Sequence, residues 1–294
     1  MAVKTYRGNC HCTAYVFEVS LPELKTGRQC NCSFCYKRGC VVYPTNADNI
    51  SFVKGDAETL ATYTFGSGKF KHKFCSHCGS YLFCEGPPAV PADDEDPTTQ
   101  TWINLRVLQN VNVWDLDIST TDGASLQPAR EPPHFPGPAP SAPVDGGRTY
   151  TGSCHCGAVT LALATKPLDS TYEDRIIECD CSICMRNAYI WVYPSKPHVS
   201  LAGAENLSHY AFGRRIWRKT FCRTCGVPLT NDSGGATDAR LDALEEEERA
   251  WTRARLGLAP VNVRVLEAPG LDVGALQVQR VRGSVLRGPA YVNP

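Results

Sequence analysis

Cys10-His11-Cys12, Cys30-Asn31-Cys32-Ser33-Phe34-Cys35 and Cys75-Ser76-His77-Cys78 return later in the chain as Cys154-His155-Cys156, Cys179-Asp180-Cys181-Ser182-Ile183-Cys184 and Cys222-Arg223-Thr224-Cys225. One pattern is written twice, and it absorbs fourteen of the sixteen cysteines. Each copy supplies seven thiols. That is the number for one closed four-thiolate zinc site plus one three-thiolate site with a vacant position. A closed site builds structure, whereas an open one can bind and activate a ligand.

The spacings assign the ligands. Residues i and i+2 of a strand share a face, so Cys10 and Cys12 can present two sulfurs to one ion, as can Cys154 and Cys156. A Cys-x-x-Cys-Gly turn adds two more, with the glycine free to take a positive φ. Cys10, Cys12, Cys75 and Cys78 form one expected tetrahedral zinc site, and Cys154, Cys156, Cys222 and Cys225 form its twin. Each staples the first strand of its unit to a later hairpin. His11 and His155 lie between cysteines that share a face, so they are expected to point away.

The remaining triplets, Cys30, Cys32 and Cys35, and Cys179, Cys181 and Cys184, are the expected open sites. Three thiolates on Zn²⁺ donate so strongly that the metal is poorly suited to making hydroxide. Soft ligands favour a fourth soft ligand, which points to sulfur chemistry. Closure by a protein ligand is the competing reading. Cys40 could serve in the first copy, whereas Tyr189 stands at that offset in the second. Cys84 reads as a small buried hydrophobe. Disulfides fit less well, because tight Cys-x-Cys and Cys-x-x-Cys pairs suit metal ligation and disulfide scaffolds belong mostly to small secreted chains.

The repeat extends beyond cysteine. Gly8-Asn9-Cys10 matches Gly152-Ser153-Cys154, Tyr43-Pro44 matches Tyr193-Pro194, and Ile103 to Leu108 matches Val261 to Leu266. Alternating or continuous apolar stretches at Ala14–Val19 and Ala158–Ala164 read as strands. Each half is therefore expected to be a small, mainly β unit of many short strands. Proline crowds residues 124–147, which read as an extended linker. The expected organisation is a first zinc domain at 1–123, the linker at 124–147 and a second zinc domain at 148–294.

Two insertions precede the matched Asn-x-Arg segments, which read as strands. The first, near Gly86 to Thr99, is proline-rich and acidic, with Asp93-Asp94-Glu95-Asp96. The second, near Asn231 to Pro260, reads as carrying one helix from about Ala239 to Leu256, capped by Thr237 or Asp238. Its apolar stripe (Leu241, Leu244, Trp251) is thin. The Glu245–Glu248 run reads as a solvated face in preference to a lid over a site.

Composition limits the functional classes. Lysine plus arginine equals aspartate plus glutamate, at 30 each over 294 residues. Zero net charge gives no electrostatic case for nucleic acid or an anionic membrane. The N-terminal residues lack the apolar region of a secretory signal, and no apolar run approaches a membrane span. A cytoplasmic setting is expected, with the nucleus as the other reducing compartment. Signatures of nucleobase deaminases, α/β-hydrolases, phosphate loops and zincins are absent from the sequence.

These residues resemble the glutathione-dependent formaldehyde-activating enzyme family, which includes centromere protein V. The likeness is carried by Gly8-x-Cys-x-Cys12, Cys30-x-Cys-Ser-x-Cys35, Phe74-Cys-x-x-Cys-Gly79 and Asn104-x-Arg106, and by Gly152–Cys156, Cys179–Cys184, Phe221–Gly226 and Asn262-x-Arg264. The resemblance implies two tandem β-tent domains of short antiparallel sheets. It also implies four structural and three active-site cysteines in each, hence up to four Zn²⁺ per chain. The implied activity is a carbon–sulfur lyase or synthase reaction, in which the glutathione thiol adds reversibly to formaldehyde to give S-hydroxymethylglutathione. Glutathione or another thiol is then the co-substrate, and a small-molecule thiol or thiol adduct is the partner, with no nucleic acid and no membrane. The alternatives are a non-catalytic zinc-stapled binding module and a lineage-specific enzyme acting on a specialised metabolite. Single-unit chains are the common form of the family, and a tandem can replace a homodimer by packing its halves as an intramolecular pseudo-dimer.

Overall fold

The computed structural model describes residues 3–87, 100–125, 130–284 and 290–294. The acidic run Asp93–Asp96 and Pro128 lie outside the described residues. Two compact units emerge: one of Met1–Arg130 with Ser182–Ala188 and Tyr291–Pro294, the other of Glu131–Cys181 with Tyr189–Ala290.

In the first unit the strands are β1 (Val3–Asn9), β2 (Val16–Pro22), β3 (Thr26–Cys30), β4 (Val42–Thr45), β5 (Ile50–Lys54), β6 (Ala61–Tyr63), β7 (Lys71–Phe74), β8 (Tyr81–Gly86), β9 (Gln100–Asn104) and β10 (Asp117–Thr121). They form a three-stranded sheet, β1-β2-β5, and a seven-stranded sheet, β10-β3-β4-β9-β8-β7-β6. Helices α1 (Ser33–Arg38) and α2 (Ser182–Asn187) also belong to this unit.

The second unit repeats the plan with β11 (Arg148–Ser153), β12 (Thr160–Thr165), β13 (Ile176–Cys179), β14 (Ile190–Val192), β15 (Val199–Ala202), β16 (Leu207–Ala211), β17 (Arg218–Cys222), β18 (Pro228–Asp232), β19 (Val261–Asn262) and β20 (Val278–Val281). Its sheets are β11-β12-β15 and β16-β17-β18-β19-β14-β13-β20. The protein is mainly β, as expected, in two similar sheet-rich units. Pairing is antiparallel except at one edge of each large sheet, where β10 runs parallel to β3 and β20 parallel to β13.

Period-two patterning builds the cores. In β2, Val16, Phe17, Val19 and Leu21 are buried while Glu18 and Ser20 are half-exposed. Phe34, Phe74, Leu82, Ile103 and Leu105 complete the first core, and Tyr150, Leu161, Leu163, Tyr189 and Phe221 lead the second. The buried Tyr150 hydroxyl accepts from the Leu168 N–H at 2.6 Å, and Tyr6 does the same for Leu24 at 3.0 Å. Each phenol thus keeps its polar end satisfied. The glycine that opens each Cys-x-Cys motif sits where a side chain has no room. A Cβ at Gly8 would enter the Phe17 ring, and one at Gly152 would press on the Val265 carbonyl.

Three local expectations need correction. First, β1 ends at Asn9, so Cys10 and Cys12 lie in a turn and not on a strand. Their sulfurs converge because that turn wraps the Cys10 sulfur: Thr13 N donates to Cys10 O at 3.0 Å and Tyr15 N to Cys10 Sγ at 3.3 Å. Second, the Asn-x-Arg segments are not continuous strand. Each strand stops at the asparagine, whose side chain accepts from the arginine N–H and starts a 3₁₀ turn at Leu105–Val107 or Val263–Val265.

Third, the helix expected over Ala239–Leu256 is two helices, α3 (Asp238–Asp242) and α4 (Glu246–Arg253). Thr237 does cap the first, accepting from Arg240 N. Leu241 and Leu244 both pack against Ile216. Arg249 then donates to the freed carbonyls of Leu241 and Leu244, at 3.2 and 2.8 Å. None of the described helices is long and apolar enough to cross a membrane.

Candidate metal centres and active site

None of the sixteen cysteines is in a disulfide, and fourteen of them gather in four clusters. Cys10, Cys12, Cys75 and Cys78 lie within 4.8 Å of one another, as do Cys154, Cys156, Cys222 and Cys225. Sulfur–sulfur separations are 3.5 Å for Cys10–Cys12 and Cys154–Cys156, and 3.6 Å for Cys12–Cys75 and Cys156–Cys222. A disulfide would bring sulfurs to about 2.05 Å. Tetrahedral zinc, with Zn–S near ~2.3 Å, spaces them by roughly 3.8 Å. Donor type, number and spacing therefore fit Zn²⁺. The Cys-x-x-Cys turns close as expected, with Gly79 at φ 73° and Gly226 at φ 69°. Their N–H groups reach Cys75 O and Cys222 O at 2.9 and 2.8 Å.

Cys30, Cys32 and Cys35 form a three-sulfur cluster, as do Cys179, Cys181 and Cys184. The first is assembled by α1. The Cys32 sulfur caps that helix by accepting from Cys35 N at 3.5 Å, and Gly39, at φ 56°, terminates it. Cys30 and Cys35 are half-buried, as are Cys179 and Cys181 in the second cluster, so both remain reachable. The Cys30 thiol is pulled down to about 3, first by the Cys32 thiol and then by Cys35, with the Cys32 and Gly123 N–H groups adding to the effect. Cys32 is pushed up to about 11 in the same exchange.

Cys40 hydrogen-bonds Cys35, which pulls its own pKa down, but its sulfur does not join the three that lie mutually within 4.8 Å. Tyr189, at the matching offset of the second copy, is buried and stacks on Trp191 with ring centroids 4.3 Å apart. His11 lies outside the four cysteine groups. Its Nε2 lies 2.9 Å from Ser182 Oγ and its ring stacks on Tyr291 at 4.5 Å.

Some supporting residues escaped the sequence reading. A Cβ at Gly123 would collide with Cys30 Sγ, and one at Gly283 with Cys179 Sγ. In both copies a bare backbone therefore passes the first thiol of the triplet. The residue inside Cys-x-Cys ties that backbone down. Asn31 Oδ1 accepts from Ala124 N at 2.8 Å, and Asp180 Oδ1 accepts from Ser284 N at 2.8 Å. The available signal was a glycine just past the last strand of each copy, in Asp122-Gly123 and Arg282-Gly283. Arg106, which the sequence singles out in Asn104-x-Arg106, braces the same region: its Nε donates to the Gly39 carbonyl at 2.7 Å and so holds the C-terminal end of α1. Arg38, from α1, donates to Gly79 O at 2.9 Å and joins the triplet helix to the Cys75–Cys78 turn.

Two copies of one cysteine pattern, each gathering a four-thiol and a three-thiol group, define a class of mainly β protein able to hold zinc. The family model for glutathione-dependent formaldehyde-activating enzymes matches residues 5–100 and 149–250. The chain belongs to this family, and it carries the family domain twice. A crystal structure of a Rhodobacter sphaeroides protein is similar at 31% identity over 38% of this chain and 99% of that one, with a TM-score of 0.32. Membership implies a glutathione-related formaldehyde-activating or related zinc-binding function, a class of carbon–sulfur lyase chemistry.

Proposed function

We propose that the protein is a zinc-dependent carbon–sulfur lyase or synthase acting on a thiol adduct, and that its open sites are the triplets Cys30, Cys32, Cys35 and Cys179, Cys181, Cys184. The observation that carries this reading is the contrast between clusters: two stop at three sulfurs among the described residues, beside two that reach four. In the synthase direction a thiol sulfur adds to a carbonyl carbon, the carbon–oxygen π bond opens, and the thiol proton ends on oxygen. Bound at such a triplet, Zn²⁺ would lower the pKa of an incoming thiol and so supply the nucleophile at neutral pH.

The chain's own residues would do the remaining work. Cys32 and Gly39 hold α1 in a six-residue turn, so the three donors start from a fixed geometry. Arg106 and Gly123 brace the two ends of that segment. A substrate held there meets its second reactant by proximity. The four-cysteine groups are assigned to structure, and a reducing compartment such as the cytoplasm suits so many cysteines outside disulfides.

Cobalt substitution tests the proposal. Thiol entry at an open Co(Cys)₃ centre should change the visible spectrum, and thiol–aldehyde adducts should turn over. An unchanged spectrum across millimolar thiol, with no turnover, would favour a zinc-stapled binding module.

A further inference from the structure

We propose that Lys219 is a carboxylate-recognising specificity residue of the second copy of the repeat, giving the Cys179–Cys181–Cys184 site a preference for an anionic, peptide-sized thiol adduct that the first copy does not share. The inference rests on the proposed function of that triplet. Lys219 lies on β17, three residues before Cys222, and is half-buried. Its Nζ sits 4.4 Å from the Trp191 ring centroid and 5.3 Å from that of Tyr189, over the stacked pair. Two aromatic faces hold the ammonium in place without neutralising it.

Strand register sets what shares its face. Lys219 pairs with Asn231, while Arg218 pairs with Asp232. Adjacent pairs point to opposite sides of a sheet. The Arg218–Asp232 ion pair at 2.7 Å is therefore on the other face. Among the described residues Lys219 faces no carboxylate within ion-pair distance. Asn231 adds a second observation, because its Oδ1 is buried and has no hydrogen-bond partner among the described residues. A cation without a counterion and an unsatisfied acceptor on one sheet face suit a ligand bearing both an anionic group and N–H donors, as a small peptide does.

The same face carries the first thiol of the triplet. Trp191 pairs with Ile177, and Cys179 lies two residues further along that strand. One strand spacing and two residue rises, with the Lys219–Trp191 contact added, put the ammonium on the order of 10 Å from the thiol. That span demands several bonds between sulfur and carboxylate.

The first copy departs at this point. His72 holds the matching place, three residues before Cys75. It is buried, with Nδ1 3.1 Å from the Tyr81 hydroxyl, its ring stacked on Phe65 at 5.4 Å and packed 4.2 Å from Phe34. Cys84 pairs with His72 there, as Asn231 pairs with Lys219 here. Two copies of one scaffold thus present different chemistry beside equivalent thiols, which is how specificity divides between them.

The test is calorimetric binding to the full-length, zinc-loaded protein. S-methylglutathione keeps both carboxylates but has a capped sulfur, so it reports the anion subsite alone. Lys219→Gln should weaken its binding about tenfold, the loss expected for one charge-assisted hydrogen bond. Lys219→Arg should restore most of it, and Lys166→Gln, a surface control, should change nothing. Lys219→Gln should also erase the preference for glutathione over its diethyl ester. The inference is overturned if S-methylglutathione does not bind at millimolar concentration, if Lys219→Gln binds it normally, or if Lys166→Gln weakens it equally. Lys219-dependent binding of S-methylglutathione, with free glutathione no tighter, would keep the subsite and sink the thiolate reading instead.

Discussion

Replacing Gly123 by alanine adds one methyl group at a place with no room for it. The new Cβ would overlap the Cys30 sulfur. Little there can yield. The β10 strand before Gly123 pairs with β3 over Asp117–Thr121, and Ala124 just beyond is held by Asn31. The strain must fall on Cys30, whose sulfur moves out of the triplet or off its rotamer. Overpacking of this kind costs about 1–3 kcal/mol, equivalent to roughly 5- to 150-fold in affinity.

If the cost is paid when the ion is bound, one zinc of each molecule should transfer to a chromophoric chelator about 5- to 150-fold more readily, with the melting temperature little changed. Gly283→Ala should repeat the result through Cys179, because the same collision exists there. Gly257→Ala, where a Cβ meets nothing within 4 Å, is the control. Unaltered zinc transfer in both test variants, or equal weakening in Gly257→Ala, would refute the argument that a bare backbone is required beside the first thiol.

Other outcomes follow from the same geometry. Cys78→Ser or Cys225→Ser should lower the melting temperature of its unit sharply, because a closed site loses folding free energy, while Cys35→Ser or Cys184→Ser should mainly abolish thiol-dependent spectral change. Equal unfolding of all four variants would contradict that division. Arg106→Met removes a charged donor from the Gly39 carbonyl and should cost about 1.5–3 kcal/mol in chemical denaturation, and Arg106→Lys should not recover it because the guanidinium geometry is lost. Thr237→Ala removes the N-cap of α3 and should cost about 1 kcal/mol, read as faster amide exchange confined to residues 238–242. Exhaustive chelation should broaden or abolish the cooperative melt of both units, and restored Zn²⁺ should recover it.

The sequence by itself determined the duplication, the mainly β class and the grouping of fourteen cysteines into two sets of four and two of three. These are matters of spacing. Ligands within a few residues of one another, and turns ended by glycine, are set by local chain geometry that a linear pattern displays. Even here the mechanism differed, since Cys10 and Cys12 converge through a turn and not a strand. The local pattern also misled at Ala239–Leu256, where the expected single helix is two and the Arg249 side chain, in place of backbone N–H groups, takes up carbonyls at the break.

What only the tertiary structure decided depends on partners distant in sequence. Gly123 matters because a parallel edge strand returns to Cys30, and Arg106 because its turn lies against Gly39. Lys219 and His72 hold one place in the repeat. Yet register alone shows that one stands over an aromatic pair beside an unsatisfied asparagine, while the other is sealed among aromatic rings. A sheet brings such residues together through long-range pairing, and no spacing along the chain records which strands will be neighbours.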